Sequence, residues 1–161
     1  MKKKLVTYYL TLSQVFPSTH CRAGEPTEFK DKLFNGLDEE RDDGKIHTIR
    51  TNYDFWARRF EKIHAGDAVL SIREWVGKPY GKGSMQREII RLTRDDGIGL
   101  QRLVVAGTSI TFHPVFVDGV EVSPDILARN DGLTKSDWRN WFANYNVNGP
   151  LAVIQFTKFR Y

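Results

Sequence analysis

The sequence predicts an α+β fold, in which a small curved mixed sheet closes toward a β-barrel and short helices sit at its ends. Three observations predict it. Most of the chain falls into short runs rich in Val, Ile, Leu, Thr and aromatic residues, bounded by Gly, Asp and Pro as strands are. Only three stretches carry the wider apolar spacing of amphipathic helices, and they do not alternate with strands as parallel βαβ units would. The chain has 161 residues, 40% of them hydrophobic and 12% aromatic, which suffices for one core, so a single domain over 1–161 is expected.

Lys4 to Phe16, closed by Pro17, reads as a strand that extends the domain at its N-terminal side. Thr27 supplies a capping hydroxyl for a helix from Thr27 to Asn35, with Phe29, Leu33 and Phe34 as its apolar residues and Gly36 as its stop. The acidic insertion Leu37 to Asp43 reads as an exposed turn before the strand Lys45 to Arg50. Asp54 to Ala65 is a second helix, in which Phe55 or Trp56, Phe60 and Ile63 share a face and Gly66 is the stop. Asp67 to Val76 is a strand, Gly77 to Met85 a Gly/Lys-rich loop, and Gln86 to Thr93 and Ile98 to Val105 are strands around Asp95-Asp96-Gly97.

Asp118-Gly119, between Ser109 to Val117 and Val120 to Val122, signals a two-residue hairpin, because a type I′ turn needs positive φ at both central residues. The span around 94–125 reads as an internal insertion. Thr134 or Ser136 can cap a third helix from Ser136 to Tyr145, whose aromatic residues at helical spacing are mostly expected in the core. Gly149-Pro150 then turns into a closing strand, Leu151 to Phe159.

With 24 Lys+Arg against 20 Asp+Glu the formal charge is +4, compatible with an anionic partner. No stretch reaches the ~20 apolar residues of a membrane span, and the first residues are too short and polar for a signal peptide, so a cytoplasmic protein without membrane partner is expected. Cys21 is the single cysteine, which excludes an intramolecular disulfide and a thiolate zinc cluster. His20, His47, His64 and His113 are scattered, so no metal is expected, and no glycine-rich nucleotide motif points to a cofactor.

Gly44-Lys45-Ile46-His47-Thr48-Ile49-Arg50 concentrates a cation, a hydroxyl and a guanidinium at a loop-to-strand entry. Thr48 and Arg50 share a strand face, whereas Lys45 joins them only if the backbone bends near Gly44. This segment, the preceding Phe34-Asn35-Gly36, the Ala65-Gly66-Asp67 step and Asp131 to Trp138 before the last strand together resemble, in order, the signature of the ASCH domain. The resemblance implies a PUA-like mixed β-barrel and a pocket for RNA or a modified nucleobase or nucleoside. Small bacterial members resemble amidohydrolases that deacetylate N4-acetylcytidine with a lysine, a threonine and a glutamate. By motif these fall on Lys45, Thr48 and Asp131, the last one methylene shorter. Arg50 then either stabilises developing negative charge or forms a structural ion pair with Asp131 or Asp137.

Trp56, Trp75 and Tyr80 are the expected walls of that pocket. Arg73, Lys78, Lys82 and Arg87 belong to a basic run, continued by Arg91 and Arg94, in which Trp75 and Tyr80 are interleaved. The run reads either as a nucleic-acid contact, joining phosphate attraction to stacking, or as a basic loop whose aromatic residues serve the core. Three function classes follow: recognition of a nucleobase-type ligand, amide hydrolysis of N4-acylated cytidine, and a non-catalytic protein-interaction domain.

Overall fold

The computed structural model describes residues 2–76, 82–83 and 85–161. In chain order its elements are β1 (Val6–Leu12), α1 (Phe29–Leu37), β2 (His47–Arg50), α2 (Tyr53–His64), β3 (Ala68–Val76), β4 (Met85–Leu92), a 3-10 turn (Arg94–Asp96), β5 (Gly99–Val105), β6 (Val115–Val117), β7 (Val120–Glu121), α3 (Pro124–Asn130), α4 (Lys135–Phe142) and β8 (Leu151–Gln155). The Gly/Lys-rich loop falls largely outside the described residues, and with it Lys78 and Tyr80.

The expected barrel is not what forms. The strands make two open sheets, one of order β1-β3-β4 and one of order β2-β8-β5-β6-β7. β1 runs parallel to β3, with Val6 opposite Ala68 and Leu12 opposite Glu74, and β4 returns antiparallel along the other side of β3. The second sheet is antiparallel throughout. Closure would require a ladder between β1 and β2, the edges that lie beside the same cavity. The described contact there is instead a side-chain bond, from Arg50 Nη2 to the Thr11 carbonyl at 2.8 Å.

Local sequence explains the elements that did form. Asn52 holds φ 64° and accepts the Phe55 N–H, starting α2, which buries Trp56, Phe60 and Ile63. Thr134 accepts the Asp137 N–H at 3.1 Å and starts α4. Asp118 and Gly119 take φ 47° and 81°, the type I′ geometry that joins β6 to β7 with Val117 opposite Val120. β8, Leu-Ala-Val-Ile-Gln, is buried at every position, as befits a strand flanked by β2 and β5 and covered on both faces.

The 94–125 span, expected as an insertion, supplies β5, which lies between β8 and β6 inside the second sheet. The helix α3 begins at Pro124, after Ser123, whose hydroxyl accepts the Ile126 N–H. A contiguous apolar core runs from Leu10 and Leu12 of β1 through Phe60 and Ile63 of α2 to Trp138 of α4 and Val153 of β8. Among the described residues no helix is long and apolar enough to cross a membrane.

Candidate functional site

Two glycines set the position of Lys45. A Cβ on Gly44 would collide with the Gly36 backbone, and one on Gly36 with the Lys45 carbonyl, so the two chain segments touch in a way only glycine allows. This pinch closes off the acidic turn at residues 38–43. Immediately after it the Lys45 N–H donates to the Lys32 carbonyl at 2.8 Å, turning the lysine side chain inward.

Inside, Lys45 meets the C-terminal end of α3. Its Nζ donates to both the backbone carbonyl and Oδ1 of Asp131, each at 2.7 Å, and lies 4.3 Å from the centre of the Phe29 ring. Lys45 is 1% and Asp131 3% exposed, so this is a buried ion pair and also a cation at a helix C-terminus. Gly132, at φ +78°, lets the lysine stem pass, since a Cβ there would lie 3.0 Å from Lys45 Cβ. Burial pulls Lys45 below the ordinary lysine range, the Asp131 carboxylate opposing and Arg50 adding to the effect.

Lys45, Thr48, Arg50 and Asp131 all line one enclosed cavity, together with Leu12 and Ser13 from the end of β1 and with Phe29, Trp141, Phe142 and Tyr145. The cavity therefore sits in the seam between the edges of the two sheets, roofed by α1 and by α4 with the residues that follow it. The volume is about 30 Å³, room for a water or two. The Thr48 hydroxyl makes no hydrogen bond to a protein group among the described residues and faces this space. Tyr145 closes it with a long bond, 3.5 Å to the Ile49 carbonyl.

Behind the ion pair lies a second polar layer. Asn130 Nδ2 donates to the Tyr161 hydroxyl at 2.9 Å, and that hydroxyl lies 2.7 Å from His47 Nε2. The phenol thus has its own proton to give to Nε2, which puts the imidazole proton on Nδ1, 3.8 Å from Asp131 Oδ1. Burial pushes His47 down to about 4, against the pull of Asp131.

The remaining residues singled out in the sequence lie elsewhere. Trp56, expected as a pocket wall, is in the core with its ring under Arg59. Trp75 is half-buried on β3, away from the cavity, and Tyr80 is outside the described residues. Arg73 stacks on Tyr9 at 4.4 Å and bonds Ser71, while Arg87 grips Glu74 Oε1 at 2.6 and 3.0 Å. Lys82 is exposed in a turn. Asp131 pairs with Lys45 and Asp137 with Arg22, and Arg50 Nη2 bonds the Thr11 carbonyl.

The walls that sequence reasoning assigned to the core are Trp141 and Tyr145, four residues apart and so on one side of the chain as it leaves α4. Their spacing is the same for a core stripe and for a cavity roof. No family model matches the chain, and neither a curated protein nor a solved structure matches it. The ASCH/PUA identity expected from the motifs thus gains no support from these comparisons, and the barrel that identity implied is replaced by two open sheets.

Proposed function

We propose that the seam cavity recognises a nucleobase-type ligand, a modified nucleoside in the first instance. The observation that supports this reading is the convergence of Lys45, Thr48, Arg50 and Asp131 in one enclosed space roofed by Phe29, Trp141 and Tyr145. A planar ring needs apolar faces above and below and a few fixed donors and acceptors at its rim, and this is the inventory of the lining. A cavity of about 30 Å³ is a tenth of an ordinary ligand pocket, so binding requires Tyr145 to swing away from the Ile49 carbonyl. The stretch from Ala143 to Gly149 that carries it is irregular and mostly exposed.

A second reading, hydrolysis of the N4-acyl amide of a cytidine, is favoured by one contact. The short carboxylate of Asp131 does reach Lys45, at 2.7 Å. In that reaction Lys45 first gives one ammonium proton to solvent, and Thr48 Oγ1 then attacks the acyl carbon as its proton passes to the lysine amine. Arg50 faces the oxyanion, the C–N bond breaks with the proton returned to the leaving amine, and water then frees the acyl group from Thr48.

Calorimetric titration with N4-acetylcytidine and with cytidine, alongside chromatography of the incubated mixture, tests both. Saturable binding that weakens at least tenfold in Asp131→Asn, about 1.4 kcal/mol, is the expected result for recognition. Release of cytidine by the wild type and its loss in Thr48→Val with binding retained identifies the hydrolase. Absence of binding to either compound at millimolar concentration overturns both and leaves a protein-interaction domain.

A further inference from the structure

Next to Trp141, whose ring lies 6.1 Å from that of His20, the side chains of His20, Cys21 and Asp137 bring an imidazole nitrogen, a thiol and a carboxylate within 4.8 Å of one another. We infer that these three side chains form a Zn²⁺ site, with the fourth position open to solvent. The imidazole is already oriented for it. Arg22 N–H donates to His20 Nδ1 at 3.0 Å, so Nδ1 carries a lone pair, and Nε2–H donates to the Asp137 carbonyl at 3.0 Å. A histidine whose second nitrogen is held by a backbone carbonyl has the tautomer and ring angle that metal-binding histidines use. Phe16 stacks on the same ring at 4.5 Å, which fixes it further.

The spacing agrees. With Zn–S about 2.3 Å and Zn–N about 2.0 Å, a tetrahedral ion separates its sulfur and nitrogen by about 3.5 Å. His20 Nδ1 and Cys21 Sγ are 3.8 Å apart. The mixed N, S and O donor set suits Zn²⁺ better than Mg²⁺ or Ca²⁺, which take oxygen. Cys21 is exposed and lines a groove of about 550 Å³ with Phe112, Lys135 and Arg139, through which an ion can enter and a solvent ligand can complete the shell. Binding is charge-balanced in a definite way: the Cys21 thiol gives its proton to solvent and the thiolate bonds the metal.

Arg22 is the competitor. Its guanidinium holds Asp137 Oδ2 at 2.6 Å and its N–H holds the lone pair of His20. Coordination displaces both contacts, while Glu25, already 2.9 Å from Arg22 Nε, keeps the guanidinium paired.

The test is titration of the reduced, metal-stripped full chain with ZnCl₂ by calorimetry and with CoCl₂ by absorbance. The expected result is one ion per chain, with a thiolate-to-cobalt charge-transfer band. Cys21→Ser, at an exposed position, should abolish the band and weaken zinc at least tenfold with the thermal midpoint of the metal-free protein unchanged. Arg22→Ala should tighten zinc and Asp137→Asn should weaken it. No binding by the wild type, undiminished binding by Cys21→Ser, or equal affinities in the Arg22→Ala and Asp137→Asn variants overturns the site.

Discussion

His47 carries the clearest pH signature among the residues around the seam. An imidazole takes up its proton near 6.5 in an unfolded chain, whereas in the folded protein burial holds it off until about 4. Between these values the unfolded state binds more protons than the folded one, so acid favours unfolding. Stability is full above about pH 7 and falls as the pH drops from 6.5 to 4, by about 2 kcal/mol at pH 5 and about 3 kcal/mol in all. Urea unfolding of the wild type at pH 7 and pH 5 measures this contribution. His47→Gln, which keeps an acceptor for the Tyr161 hydroxyl and cannot titrate, should flatten that part of the profile. An unchanged profile would show that the acid sensitivity belongs to other groups. Lys45 and Asp131 differ in kind, because removing one leaves the other as an unpaired buried charge. Lys45→Met should cost about 3 to 5 kcal/mol, and the double substitution with Asp131→Leu should recover much of it in a mutant cycle.

At the scale of elements, the Gly36–Gly44 pinch bears on everything that follows it. Gly44→Ala forces two backbones apart at the base of the acidic turn and shifts Lys45 from its seat, at a cost of about 2 to 3 kcal/mol. The thermal midpoint should drop by about 5 to 10 °C for a chain of this length, while Gly24→Ala, whose added Cβ meets nothing but has φ +83°, tests backbone strain alone. Gly44 is not in the left-handed region, so its loss reports the close approach, and a Gly44→Ala midpoint within about 1 °C of the wild type would overturn that role of the pinch.

The same element shows what sequence can and cannot reveal. The bend that brings Lys45 beside Thr48 has its signal in Gly44, and the four residues singled out together, Lys45, Thr48, Arg50 and Asp131, do line one cavity. The hairpin at Asp118-Gly119 was legible because positive φ at two residues admits few side chains. By contrast α3 buries only Leu127 and Ala128, too few for periodicity to register, although Ser123-Pro124 was a usable start signal. The expected long strand from Ser109 is cut to Val115–Val117 because Ser109 and His113 bond each other in a turn. Trp141 and Tyr145 escaped because helical spacing does not tell a cavity roof from a core stripe.

For the molecule as a whole, the decisive quantity was strand pairing across large sequence distances, and a period of two carries no record of it. Leaving two sheets open also leaves edges, and β4 is one of the longest of them, eight residues from Met85 to Leu92. An exposed edge of that length invites a second chain to add a strand. The residues there are Arg87, Glu88 and Arg91, charged and exposed, with Glu88 and Arg91 paired at 3.1 Å. Two residues of the basic run, Arg87 and Arg91, thus lie as charges along this edge. Replacing Arg87, Glu88 and Arg91 together by Thr should produce concentration-dependent oligomers in light scattering at neutral pH, and a monodisperse triple variant would show that the edge does not need these charges. A closed barrel has no such rim to defend. If those charges guard the rim, the chain's colloidal behaviour, and with it the concentration at which it can be kept in solution, depends on a handful of side chains along one strand.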